Sequence, residues 1–133
     1  MILADTSAWV EFFRATGSPA HLALRGLIQE GTEVATSEIV IMEILAGARS
    51  EGERTRFREV LHALPLVALQ GLDDYEEAAT IYRTCRVAGE TVRKLTDCLI
   101  AVPAIRAGAS ILHNDIDFEV IARHTALRIH SFT

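Results

Sequence analysis

The chain opens MILADTSAWVEFFR (residues 1–14), and the step from its apolar start into an acid decides how the rest is read. Residues 1–4 are a short apolar run, long enough for a buried strand and too short for a helix. Asp5, Thr6 and Ser7 follow directly, and residues 8–14 read as a helix. The same order returns near the other end. SILH (110–113) is a second short strand, followed by Asn114, Asp115 and Asp117 and then a short helix over 118–123.

Between these ends the punctuation is regular. Ser18 caps a helix with Pro19 at its first position, running to about residue 30, where Gly31 ends it. Residues 33–36 read as a strand, and Ser37 then caps a helix through about residue 46, closed by Gly47. A charged amphipathic helix covers 52–62, and 64–69 is a strand or an extended connection. A long helix spans 73–88 and stops at Gly89; another spans 96–107 and ends at Gly108. Residues 127–130 form the last strand. Short strands alternating with helices predict a mostly parallel central sheet flanked by helices, an α/β/α sandwich. With no Pro-, Gly- or Ser-rich linker, residues 1–133 are expected to be a single domain.

Composition narrows the setting. Apolar residues are 50% of the 133; on the definition that counts Gly and omits Tyr they are roughly 54%, above the usual roughly 45–50%. An apolar face shared with a partner or a second copy is therefore expected. No apolar run reaches membrane-spanning length, and no basic region precedes the apolar start, so neither an anchor nor a signal peptide is expected. Cys85 and Cys98 sit in helix-like apolar patterns without metal spacing and read as buried thiols of a cytoplasmic protein. The net charge of −5 argues against a nucleic-acid partner. The basic residues cluster, however, at Arg49, Arg54, Arg56 and Arg58, and again at Arg83, Arg86, Arg93 and Lys94. Such a face can hold phosphates while a separate acidic site does chemistry. Interleaving with Glu51, Glu53, Glu59 and Glu90 also fits plain solvated helix faces.

In a parallel sheet, ligands sit outside the carboxyl ends of the strands. Asp5, Asp115 and Asp117 fall there if their strands are neighbours. Asp97 opens the helix TDCLIAVPAIRAG among apolar residues. Taken singly, Asp5, Asp97 and Asp117 also fit helix caps. Glu43 does not, because it lies mid-helix in SEIVIMEILAG with no Lys or Arg a turn away, and a buried carboxylate needs a partner. Acids converging without local bases repel, and a hard divalent cation with oxygen ligands, Mg²⁺ or Mn²⁺, resolves this. No G-x-S-x-G elbow, Walker loop or Cys–His zinc pattern competes. Metal-assisted phosphodiester hydrolysis fits best.

At this point the residues resemble the PIN-domain family, and within it the VapC-type ribonuclease toxins of bacterial toxin–antitoxin pairs. The blocks ILADTSAWVEFF, TSEIVIMEILAGAR, TDCLIA and LHNDIDFEVIA resemble the family's acidic motifs in order over nearly the whole chain. The resemblance implies a Mg²⁺- or Mn²⁺-dependent endoribonuclease with Asp5, Glu43, Asp97 and Asp115 as its catalytic acids. Asp5, Asp97 and Asp115 would hold metal, with Asp117 as a further ligand or water-mediated contact. Glu43 would orient or deprotonate the attacking water, or share the metal, and Thr6 and Ser7 would support the acids. It further implies an RNA substrate, a VapB-like antitoxin covering the site, a toxin homodimer and a toxin–antitoxin hetero-oligomer. Arg86, Arg93 and Lys94 could reach phosphates entering the site.

Alternatives are a PIN nuclease of RNA maturation and a PIN-like module that only binds a partner. A dehalogenase-like phosphatase needs a second Asp where Ser7 stands, so that idea fails. His113 reads as a packed side chain rather than a base. Trp9, Phe12 and Phe13 read as core rather than as a platform for bases. Pro103 removes the helix bond to the Leu99 carbonyl and puts the straightness of that helix in question.

Overall fold

In the computed structural model, which describes residues 1–131, the chain runs β1 (Ile2–Ala4), α1 (Thr6–Arg14), α2 (Pro19–Gln29), β2 (Val34–Ala35) and α3 (Glu38–Ala46). It continues through α4 (Glu51–His62), α5 (Leu72–Val87), α6 (Leu95–Ala107), β3 (Ser110–Leu112), α7 (Ile116–His124) and β4 (Arg128–Ile129). The strands lie in the order β2-β1-β3-β4, every neighbouring pair parallel. Central β1 and β3 are in register from Ile2 opposite Ser110 to Ala4 opposite Leu112. One further ladder bond, from the Asp5 amide to the Leu112 carbonyl at 2.9 Å, continues past the end of β1. That bond places the loops after β1 and β3 side by side.

The outer strands are shorter than their sequences suggest. Residues 33–36 and 127–130 reduce to two strand residues each. The stretch 64–69 contributes a single bridge between Thr36 and Leu66. Its bonds run from the Thr36 amide to the Pro65 carbonyl (3.0 Å) and from the Val67 amide to the Thr36 carbonyl (2.8 Å). Pro65 has no amide hydrogen to extend the ladder.

Leu3, Ile111 and Leu112 are fully buried in the sheet. On one side Trp9 and Phe13 of α1 stack at 5.4 Å between centroids, and Phe13 meets Phe57 of α4 at 4.3 Å. Trp9, Phe13 and Phe57 are core and Phe12 packs half-buried against it, so these rings are not a surface for bases. On the other side α5 packs on α6 and hides the free thiols Cys85 and Cys98. Burial pushes the Cys98 thiol up to about 12, which leaves it protonated and inert. Helix α6 runs through Pro103 without interruption, and that ring is buried. Leu72, Tyr75, Val87 and Leu95 remain exposed around α5 and the start of α6. Among the described residues no helix is long and apolar enough to cross a membrane.

Candidate metal centre

Asp5 caps α1 from an extended backbone, its Oδ2 accepting bonds from the Ser7 amide (3.0 Å) and the Ser7 hydroxyl (2.7 Å). The Ser7 oxygen in turn accepts the Asn114 amide at 2.8 Å. One hydroxyl therefore ties the end of β1 to the loop after β3. Asn114, which sequence reasoning did not single out, is part of this brace through its backbone. Capping satisfies only half of the carboxylate, because Asp5 Oδ1 is buried and accepts no hydrogen bond.

Ser37 caps α3 by accepting the Val40 amide, and Glu43 follows on the same helix. Its partner is neutral: the Thr6 hydroxyl donates to Glu43 Oε1 at 2.7 Å. Asp97 is the third residue of α6, whose N-cap Lys94 makes no side-chain bond to the helix. Asp97 is 1% exposed, yet its Oδ2 accepts no hydrogen bond, so capping does not account for it. Asp115 caps α7, its Oδ1 accepting the Asp117 amide at 3.0 Å. The Asp115 amide donates to His113 Nδ1 at 3.0 Å, and His113 Nε2 lies 3.1 Å from Glu119 Oε1. With Nδ1 accepting, the ring proton sits on Nε2, and His113 orients Asp115 without facing a substrate.

One oxygen from each of Asp97, Asp115 and Asp117 can be chosen so that all three lie within 4.8 Å of one another. The expectation that these acids converge without bases is corrected by the loop before α6. Arg93 Nε lies 3.1 Å from Asp117 Oδ1 and its Nη2 3.1 Å from Asp115 Oδ1, while its amide donates to Asp117 Oδ2 at 3.1 Å. Lys94 Nζ lies 2.8 Å from Asp115 Oδ2 and 3.9 Å from Asp97 Oδ2. Arg93 and Lys94 thus face the acids, whereas the Arg86 guanidinium rests over the Tyr82 ring at 5.8 Å.

The charges divide as crowding demands. Burial first, then the charge of Asp5 and a hydrogen bond with Asp115, push Asp97 up to about 9. Asp115 goes the other way, to about 2: burial opposes ionisation there, but Lys94, the Asp117 amide and Asp97 outweigh it. Burial also raises Asp5 against the donors from Ser7, with Glu43 adding repulsion. Like charges packed together cannot all ionise without a cation. The donor set is oxygen only, three buried carboxylate oxygens, Asp5 Oδ1, Asp97 Oδ2 and Asp115 Oδ2, accept no hydrogen bond, and several acids are held apart in protonation state. These residues fit a hard divalent ion.

The Ser7 brace is testable. Ser7→Ala leaves the Asn114 amide without its partner and removes one of the two donors to Asp5 Oδ2, the Ser7 amide remaining, and should lower stability by about 1–3 kcal/mol. Loss of a partner that orients a metal ligand should also weaken metal binding by about 10–100-fold. Parent-like melting and metal titration would remove Ser7 from the site.

Comparison with known proteins fits this arrangement. The PIN domain family matches residues 2–124. The chain belongs to the PIN-domain family. Two curated PIN-domain relatives are Ribonuclease VapC11 of Mycobacterium tuberculosis and VapC ribonuclease Mb1587 of Mycobacterium bovis. Each is 50% identical over 133 residues, covering 99% of this chain and 99% of the relative. Among solved structures, VapBC2 from Rickettsia felis, bound to a fragment of its promoter DNA, superposes with a TM-score of 0.74. It is 20% identical and covers 98% of both chains. VapBC from Salmonella typhimurium, also bound to DNA, gives a TM-score of 0.71 at 21% identity over all of both chains. At such identities these structures speak for the fold alone.

Proposed function

We propose that this PIN-domain chain is a metal-dependent endoribonuclease, the toxin of a VapBC-type pair acting in the cytoplasm. The observation that carries it is the buried acid cluster at the carboxyl edge of β1 and β3, with oxygens of Asp5 and Asp97 that no hydrogen bond satisfies. It occurs in a chain 50% identical to ribonucleases over its length. Asp5, Asp97 and Asp115 would hold Mg²⁺ or Mn²⁺, with Asp117 as a further or water-mediated ligand. The bound ion would supply an activated water and offset charge growing on the phosphate. Glu43, held by Thr6, would orient or deprotonate the attacking water, or share the metal. Ser7 and His113 fix Asp5 and Asp115. Arg93, Lys94 and Arg86 are the proposed phosphate contacts, and residues 1–133 act as one nuclease domain.

A VapB-like antitoxin and a second toxin copy complete the assembly. The exposed Leu72, Tyr75 and Leu95 give a face of the kind that the apolar composition calls for. Arg93 already bridges two carboxylates, Asp115 and Asp117, in the way an antitoxin arginine would have to. Mutating such a basic residue in the partner's tail should therefore restore cleavage inside the complex. Retained inhibition would indicate that the tail only blocks the RNA path.

The central test is expression of the chain alone. It should arrest growth, cleave RNA in Mg²⁺ or Mn²⁺ and stop on chelation. Healthy growth with cleavage intact would favour RNA maturation instead. A metal-saturated protein that cleaves no RNA would leave a partner-binding module.

A further inference from the structure

The Lys94 ammonium reaches into the acid cluster between Asp97 and Asp115. It touches Asp115 Oδ2 at 2.8 Å and lies 3.9 Å from Asp97 Oδ2, two of the acids whose oxygens come within metal-binding reach of one another. Asp97 is nine-tenths buried and more, and its Oδ2 has no hydrogen-bond donor. Lys94 itself is half exposed on the loop entering α6, makes no cap bond, and carries its charge on a flexible four-carbon stem. Arg93 is placed differently. It grips Asp115 Oδ1 and both oxygens of Asp117 through its side chain and its amide, which steadies the outer rim of the cluster.

We infer that Lys94 is a tethered counter-ion that competes with the metal for Asp97 and Asp115. In the metal-free protein it holds these carboxylates together. A divalent ion must expel it to bind, so Lys94 sets the metal concentration at which the site loads. This rests on the proposed metal-site reading, and adds to it a positioning residue that lowers affinity instead of raising it. Two opposed effects follow from one residue. Removing the charge weakens the metal-free fold, and it strengthens metal binding. An ordinary structural ion pair would give the first effect without the second.

The experiment is calorimetric titration of Mn²⁺ into the full chain and its variants, with melting curves in chelator and in Mn²⁺. Lys94→Gln should bind Mn²⁺ at least about tenfold tighter than the parent, since the ion no longer has to displace an ammonium paired with Asp115, a contact worth about that factor or more for a partly buried pair. It should melt lower than the parent in chelator and gain more on adding Mn²⁺. Lys94→Arg keeps the charge and should return the affinity towards that of the parent. Asp97→Asn controls for the site. If the parent binds Mn²⁺, Asp97→Asn does not, and Lys94→Gln binds no tighter than the parent, the inference is overturned while the metal site stands. If neither the parent nor Lys94→Gln binds Mn²⁺, the metal reading and the inference fall together.

Discussion

Asp97→Asn should lower RNA cleavage by at least about a hundredfold while leaving the protein folded. The substitution keeps the volume of a side chain that is almost wholly buried and replaces an anionic ligand by a neutral amide. Metal-assisted stabilisation of developing charge is worth several kcal/mol, and each 1.36 kcal/mol is about a factor of ten in rate. Losing most of it costs two or more decades. Glu43→Gln should fall in a similar range for a different reason, since a positioned general base contributes about 10²–10⁴-fold. Its dependence on metal concentration should change less than that of Asp97→Asn, because Glu43 leans on the neutral Thr6 hydroxyl. Gel assays of RNA cleavage across a Mn²⁺ series separate the two variants. Parent-level cleavage by Asp97→Asn in excess metal would sink the site assignment.

The sequence carried the order of elements because caps and glycines mark helix ends locally. Ser18, Ser37, Gly47 and Gly108 each stand at the helix boundary they announce. Strand lengths were less legible. Pairing depends on the neighbour, and β2 and β4 are outer strands that keep only two paired residues each. Asp5, Asp97, Asp115 and Asp117 could be placed because each follows a strand or opens a helix, and Glu43 because it stands mid-helix among apolar residues. Their partners could not. Thr6 is 37 residues from Glu43, and Arg93 is more than 20 from Asp115 and Asp117. The pairing of β1 with β2 and the packing of α1 on α3 bring Thr6 to Glu43, and the return of the chain before α6 brings Arg93 to the acids after β3. The adjacent Arg93-Lys94 read as surface charge reaching for phosphate; nothing local shows that both turn inward. The same limit applies to Ser7, whose link to Asn114 spans almost the whole chain.

The second large effect joins the site to stability and pH. Asp97 titrates near 9 in the folded protein because of burial, then Asp5 and Asp115, against about 3.9 in an unfolded chain. Between those values the folded state binds the extra proton, so stability falls as pH rises from about 4 to about 9. Asp115, held near 2, works in the opposite sense: its contribution is present above about 4 and is lost as pH falls towards 2. For the metal-free protein, this pair therefore favours mildly acidic conditions over pH 8. Asp97→Asn cannot ionise, so it should lose the decline on the alkaline side and melt above the parent at pH 8, with the gap closing near pH 5. Divalent metal binds the assembled site and not the unfolded chain. At a hundred times its dissociation constant it adds about 2.7 kcal/mol, roughly 10 °C for a chain of this length. If Asp97 holds the metal as proposed, its carboxylate would have to be ionised, loading would release a proton, and the gain should grow from pH 6 to pH 8. The mutant should show little of it. Were Asp97 a helix cap only, Asn would cap nearly as well, and neither the pH slope nor the metal response would change. Melting curves of both proteins at pH 5, 6 and 8, in chelator and in millimolar Mn²⁺, decide the matter. Matching pH slopes with matching metal shifts would reduce Asp97 to a cap.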